Sequence, residues 1–316
     1  MKKVLNIVNS DATIEKLKEA DILGAFLPWQ DFLHEGPVPE NLSLEALSKI
    51  RAEYISHKGL GSFEEIDQNF KERNATLYAF KKYEKIILWF EPDLYDQLQL
   101  IQILDWFAKY ASTSTLLSFI YCDQNLGNYS TTKRQELLLY NKEPVTHQHF
   151  IVARKAWGAF TSPTPEAWFK LMDDDISALP FLQDAILRML EEYPNSINGL
   201  SRTAHQALLI VAKGVHYPPH IFEAYQKSEK HRFMGDVLFW DVLKALVAKK
   251  LLTSMEEGKH LLISSLGEDI LRGERNWLNL GAIDFWLGGV HQTPDTLWLW
   301  DIQSQRLKNK PLQQLG

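Results

Sequence analysis

The chain has 316 residues, a formal net charge of −6, 45% hydrophobic and 23% charged side chains, and ten tryptophans. This balance is ordinary for a globular protein, excludes a long disordered tract, and at this length predicts two or three domains. The single cysteine, Cys122, excludes an internal disulfide and any zinc site built from several thiolates, which fits a reducing cytoplasm.

The N-terminal MKKVLNIVNSDATIEKLKEA has too short an apolar run and no small-residue cleavage site for a signal peptide. No apolar stretch is long enough to span a bilayer, so the expected location is cytoplasmic with no membrane partner. Residues 1–125 carry 13 Lys and Arg against 19 Asp and Glu, and residues 200–275 carry 11 against 9. Neither region has the basic excess that drives phosphate-backbone binding, so nucleic acid is a weakly supported partner and a small molecule the preferred one.

Strand and helix signals alternate through the first 125 residues. KVLNIVN (3–9) is apolar and β-prone, and Ser10 or Asp11 can cap the helix that follows, with Ile14 and Leu17 facing inward. GAFLPW (24–29) predicts a second strand, and Pro28 places it at an edge or a strand end. Helical patterns follow at 42–57 and 62–80. The strand KIILWF (85–90), the helix 93–110 and the strand TLLSFIY (115–121) complete the region. Short, wholly apolar strands alternating with helices predict a Rossmann-like open α/β parallel sheet covered on both faces.

From about residue 126 strands give way to helices, so a mainly α C-terminal half is expected, with loops at SPTP (162–165) and YPNSINGLSR (193–202). Residues 203–272 follow the order of a winged helix: helices, then a short hairpin around Glu257-Gly258, then a strand-to-helix step. The expected division is an α/β domain at 1–125, a helical linker domain at 126–199, a winged-helix-like module at 200–275, and a C-terminal helix and hairpin at 276–316 packing on the rest. Asp236, Phe239, Trp240 and Asp241 open the helix that would enter a DNA groove. Base readers are normally Arg, Lys, Asn or Gln, so this acidic and apolar helix suits protein packing better; Lys244, Lys249 and Lys250 leave phosphate contacts open.

In an open α/β sheet ligands bind beyond the carboxyl ends of the parallel strands. Asn9, Ser10 and Asp11 follow the first strand, Trp29, Asp31, His34 and Glu35 the second, and Glu91 and Asp93 the third. Like charges gathered there would raise some carboxyl pKa values toward neutrality, the condition for general acid–base work. Asp93 after Pro92 is also a good N-cap, Asp96 suits a helix dipole, and Asp11 has the same local account. Glu91 fills no capping position and therefore carries the functional expectation.

The preferred reading makes Glu91 a general base or nucleophile and His34 its acid partner, with Asp93 or Asp11 orienting them or holding a divalent metal. Ser10 and the adjoining helix N–H groups would hold an anion, while Trp29, Glu35 and Gln97 would contact substrate. No ligand spacing specifies a metal, and no dinucleotide fingerprint, P-loop or G-x-S-x-G elbow is present. His147 and His149 in THQHF have metal-like spacing but read as a solvated helix start. In RNWLNLGAIDFWLGGVHQ, Asp284 and Trp286 are expected on a helix ended by Gly288-Gly289. A sharper alternative lets Asp284 and His291 close the sheet-rim site and bind substrate.

The stretches DFLHEGPVP (31–39), LWFEPDLYDQLQLIQILDW (88–106), LPFL (179–182), NGLSRT (198–203) and IDFWLGGVH (283–291) resemble the bacterial family catalogued as domain of unknown function 1835. The similarity covers nearly the whole chain. It implies that Asp11, His34, Glu35, Gly36, Pro37, Glu91, Asp93, Asp96 and Gln97 belong to motif positions. Two departures stand out: NSDA at 9–12 replaces a more typical N-G-D, and Pro92 occupies a position where histidine is common, which argues against an obligatory catalytic histidine there. The family carries no established activity. The expected function is a hydrolase or transferase acting on a phosphorylated or nucleotide-like small molecule, with a DNA-binding or ligand-sensing regulator as the alternative.

Overall fold

β1 (Val4–Val8) is buried from Leu5 onward because it has a parallel neighbour on each side and helices over both faces. Its one polar residue, Asn6, is fully buried and fully used: its Nδ2 reaches Leu23 O and Ala25 O, and its Oδ1 accepts from Trp89 Nε1 at 3.0 Å. These details come from a computed structural model that describes residues 3–112 and 115–309. By clustering of contacts the chain forms two units, 1–186 with 286–290, and 187–285 with 291–316.

In the first unit Ser10 caps α1 (Asp11–Glu19) by accepting from Thr13 N, and the chain then returns as β2 (Ala25–Pro28), an edge strand, as Pro28 requires. The two-residue β3 (Gly36–Pro37) precedes α2 (Leu44–His57) and α3 (Phe63–Tyr78), whose Ser62–Glu65 capping box satisfies donors at both positions. β4 (Lys85–Phe90) pairs with β1, α4 (Leu94–Tyr110) follows, and β5 (Leu117–Tyr121) pairs with β4. Of the strand expected at 115–121, residues 113 and 114 before it lie outside the described residues, and pairing starts at Leu117.

After α5 (Thr131–Tyr140), β6 (Lys142–Pro144) runs antiparallel to β5, giving the sheet order β2-β1-β4-β5-β6. Strands therefore do not end at residue 126, as periodicity suggested. KEP carries no apolar alternation because β6 is a short, fully exposed edge, where Lys, Glu and Pro discourage further pairing. One face of the sheet is closed by Leu17, Ala20, Ile22, Leu126 and Leu137 around Trp89 and Cys122. On α4 every residue from Asp96 to Phe107 is buried, and α6 (His147–Thr161) packs along it. A helix buried all round has no polar face to spare, so its polar residues must find partners inside.

The segment 286–290 returns to this unit. Phe285–Gly288 is a strand and not the expected helix: Leu287 and Gly288 pair in parallel with Gly36 and Pro37. The glycines allow a close approach to α6, since a Cβ on Gly288 would stand 2.6 Å from Phe160 O and one on Gly289 1.9 Å from Thr161 O. Gly288 also has φ +61, so the pair that reads as a helix stop serves a backbone crossing instead.

After α7 (Glu166–Lys170) and α8 (Leu182–Leu190), the second unit runs through α9 (Arg202–Ala212), α10 (Pro218–Ser228) and α11 (Asp236–Ala248). A two-stranded antiparallel hairpin, β7 (Leu252–Met255) and β8 (His260–Ile263), and α12 (Ser265–Leu271) follow, with α9 contacting α10, α11, α12 and β8. A second hairpin, Trp298–Asp301 with Arg306–Asn309, comes last; the expected 276–316 block runs beyond it into residues 310–316, which lie outside the described residues.

Candidate active site at the sheet rim

The chain leaves β1 outward toward β2 and leaves β4 outward toward β5, so the carboxyl ends of β1 and β4 flank the point where the winding direction changes. That crevice is where open α/β sheets present ligand sites. Asn9 ends β1 there, and Glu91, Asp93 and Asp96 lie between β4 and the first turn of α4.

Each acidic side chain has a local anchor. Asp93 is the N-cap of α4 and its Oδ1 accepts from Asp96 N at 3.0 Å. Asp96 spans the crevice: Oδ1 accepts from Asn9 Nδ2 at 2.8 Å and Oδ2 from Glu91 N at 2.6 Å. Glu91 accepts from Leu126 N at 2.8 Å and from Asn125 Nδ2 at 2.7 Å, which fixes the short 126–128 turn after β5. Gln97 Nε2 donates to Glu91 O at 2.8 Å. Asn9 Oδ1 accepts from Ser10 Oγ and Thr13 Oγ1, so its amide is oriented with Nδ2 toward Asp96.

The three carboxylates are 3%, 5% and 0% exposed, and one oxygen from each lies within 4.8 Å of the others. Two unit charges about 4 Å apart cost roughly 4 kcal/mol even at an effective dielectric of about 20. Taking up a proton at pH 7 costs a normal carboxylic acid about 1.4 kcal/mol per pKa unit, so a bare cluster keeps a proton instead of three charges. Loss of water pushes Glu91 up to about 7 against the pull of the Leu126 and Asn125 donors. Desolvation, then the charge of Glu91, pushes Asp93 up to about 8, and burial with repulsion from both neighbours holds Asp96 well above the usual range. Cys122, buried beside Glu91 and Asp96, has its thiol pushed up and stays protonated, consistent with a small apolar core residue.

The other sequence-derived candidates fall in several places. Asp11 is exposed and accepts from Gln30 Nε2 at 2.6 Å, while Ser10 caps α1 and donates to Asn9. His34 is buried against Phe32 and Tyr95, whose hydroxyl donates to Asn9 O at 3.4 Å. Glu35 is half-buried with Lys58 at 3.1 Å and Tyr54. Trp29 is fully buried, with Nε1 donating to Gln102 at 2.7 Å. Asp284 and His291, in the second unit, bond to each other at 2.7 Å. His149 corrects the solvated reading of THQHF: it is buried on Phe119 and caps α6, accepting from Thr146 N at 2.8 Å.

Sequence reasoning gave no role to Asn125 or Thr13 and none to the pair Arg51–Asp31, which meets at 2.9 Å in full burial. Asn125 lies in QNLGN, whose turn composition was the one available signal. No protein-family model and no curated protein matches the chain. The likeness to the domain of unknown function 1835 family therefore rests on the quoted motifs.

Proposed function

We propose that the first unit is a small-molecule enzyme, a hydrolase or transferase for a phosphorylated or nucleotide-like substrate, with Glu91, Asp93 and Asp96 as its reactive groups. The observation that carries this reading is the burial of three mutually repelling carboxylates at the winding change of the sheet. Natural cores avoid such clusters unless a proton, a cation or a substrate offsets the repulsion. The same groups give the site two working forms. With one proton shared, Glu91 is a base poised near neutrality and its neighbour an acid. With a divalent cation in place of the proton, the carboxylates become ligands and the cation offsets the charge of a substrate phosphate.

The donor set fits a hard cation of oxygen preference. Oxygens bound to one ion stand at most twice the bond length apart, roughly 4.2 Å for magnesium and about 5 Å for calcium. The 4.8 Å span reaches the larger ion as it stands and the smaller after slight closure. Hydrogen bonds from Asn9, Asn125 and the Leu126 amide orient the carboxylates from behind, as outer partners do in metal sites. His34, Gln97 and Ser10 would act as acid partner, positioning residue for Glu91 and anion contact.

The test is hydrolysis of nucleotides and sugar phosphates with magnesium, manganese or calcium, comparing wild type with Glu91→Gln and Asp93→Asn. We expect turnover to fall at least 100-fold in each variant, the scale of a lost general base, with the fold intact by circular dichroism. Undiminished turnover in both variants would remove the carboxylates from the mechanism.

The helix order of α9 to α11 followed by an antiparallel hairpin supports a second reading, a winged-helix regulator that binds DNA or senses a ligand without catalysis. The first turn of α11 exposes Asp236 and Val237, and Lys244 pairs with Asp241 at 3.0 Å, an arrangement poor in base-reading donors. A mobility shift of duplex DNA by submicromolar protein at moderate salt would favour that reading over the enzyme.

A further inference from the structure

A cavity of about 560 Å³ lies in the first unit beside the edge strand β2, walled by residues of β2, α2 and α3. Phe26, Trp29, Phe32 and Phe70 supply aromatic walls, Asn69 and Thr76 add neutral polar groups, and the carboxylates of Asp11 and Glu72, both on exposed residues, also line it. Its size and mixed lining match small-molecule sites in general. None of Glu91, Asp93 and Asp96 lines it.

The cavity also borders Arg73, which is 5% exposed. Its guanidinium bonds only to neutral acceptors: Nε to Asn74 Oδ1 at 3.1 Å, Nη1 to Trp29 O at 3.1 Å, and Nη2 to Ser48 Oγ at 3.0 Å. It lies 4.2 Å from the ring centre of Trp29 and 4.3 Å from that of Phe70. Each Nη nitrogen keeps a second N–H for which the protein supplies no acceptor among these bonds. The charge balance is uneven too. Asp31 is the carboxylate facing Arg73, and it is already bound by the buried Arg51 at 2.9 Å. Two buried guanidinium groups thus share one buried carboxylate. Burial lowers Arg73 to about 10, which still leaves it charged at neutral pH. A buried charge normally has a counter-charge, because desolvation costs several kcal/mol per ion, and Arg73 borders a cavity with room for one.

We propose that this cavity binds a small molecule with one carboxylate or phosphate on an aromatic body, the anion on the unused N–H groups of Arg73 and the ring beside Phe26 and Phe32. Phe26 and Phe32 also have cations near their rings, Lys18 Nζ at 5.8 Å and the Arg51 guanidinium at 5.4 Å, but these lie farther off than Arg73 does from Trp29 and Phe70, at 4.2 and 4.3 Å. The site does not depend on the acid cluster being catalytic, and it is read by binding alone.

The experiment uses the full chain with phenyl phosphate, benzoate, inorganic phosphate and benzyl alcohol, each at 10 mM, followed by thermal midpoint and by ligand-observed NMR. At least one ring-bearing anion should bind and raise the midpoint by roughly 2 °C, and the stronger of the two tells phosphate from carboxylate. Inorganic phosphate and benzyl alcohol should shift it less. Arg73→Gln should abolish the response. Because Arg73 also bonds Ser48 and Trp29, the deciding variant is Asn69→Trp, an exposed α3 position on the cavity wall whose larger ring fills the space and leaves Arg73 in place. No binding of either ring-bearing anion, an equal response to benzyl alcohol, or an undiminished response in Asn69→Trp overturns the proposal.

Discussion

The two units each bury a cluster of charges, and the clusters follow opposite rules. In the second unit Arg188 lies among carboxylates: Nη2 and Nε bond Glu229 at 2.8 and 3.0 Å, Nη1 bonds Glu192 at 2.6 Å, and Arg202 adds bonds to Glu191 at 2.5 Å and Glu229 at 3.5 Å. Thr203 and Tyr225 also accept from Nη2 of Arg188. Opposite charges answer each other, and the Glu192 and Glu229 carboxylates hold the Arg188 guanidinium well above its usual range despite the opposing cost of burial. In the first unit Glu91, Asp93 and Asp96 repel one another, and burial pushes all three the way that favours protons. Equal burial therefore serves two purposes. The Arg188 cluster is answered in charge, whereas the acid cluster needs a proton or a cation to be stable, and the proposed function rests on that dependence.

The contrast predicts mutations of opposite sign. Arg188→Met strands Glu229, which is 2% exposed at its side chain, and should cost about 3–5 kcal/mol. Denaturant unfolding read by hydrogen exchange in each unit checks this; a loss under about 1 kcal/mol would mean the cluster is no keystone of its unit. Asp93→Asn should do the reverse. Asparagine still caps α4, and the variant sheds one of three repelling charges, so at pH 8 without divalent metal it should gain on the order of 1–3 kcal/mol. A destabilised Asp93→Asn would show that the carboxylate is structural.

The pH dependence sharpens the same point. A carboxyl raised from 3.8 to about 8 in the folded state binds more protons folded than unfolded, so stability falls as pH rises. The first unit should thus be most stable below about pH 4 with respect to this group, and lose that contribution progressively up to pH 8. Asp93→Asn should flatten the slope between pH 5 and 8. A wild-type slope of the other sign would contradict the raised carboxyl. The smallest effect is expected at the exposed capping box of α3: Ser62→Ala should cost about 1 kcal/mol with little pH dependence over the same range. A strong dependence there would show that the slope is not particular to the acid cluster.

Much of the sheet could be read directly from sequence, because β1, β4 and β5 are short apolar runs whose burial on both faces needs no partner to be recognised. Pro28, through its missing N–H, pointed to an edge or a strand end, and it stands at both. Two of the elements that escaped did so for one reason. β6 has no apolar pattern, and the strand at 285–288 pairs with residues about 250 positions earlier, so neither carries a local signal. Within the site, Glu91 stood out because no helix rule explains a glutamate between a buried strand and a proline. Its contacts with Asn125 and Leu126 were beyond reach, since a turn after β5 supplies them. Arg73 carries no local signal in the 62–80 stretch, and only burial beside Trp29 and Phe70 distinguishes it.

By itself the sequence determined an α/β sheet at the start of the chain, a cap at Ser10 or Asp11 and one at Asp93, and the position of Glu91 at a strand end, because these depend on residues within a few positions of one another. The tertiary structure alone decided that Asp96 turns to Asn9 across the crevice, that the three carboxylates are buried within 4.8 Å of one another, and that Arg188 meets its counter-charges while Arg73 bonds only to neutral groups. Charge and desolvation act through space, and their sums are fixed only when segments distant in sequence are brought within a few ångströms.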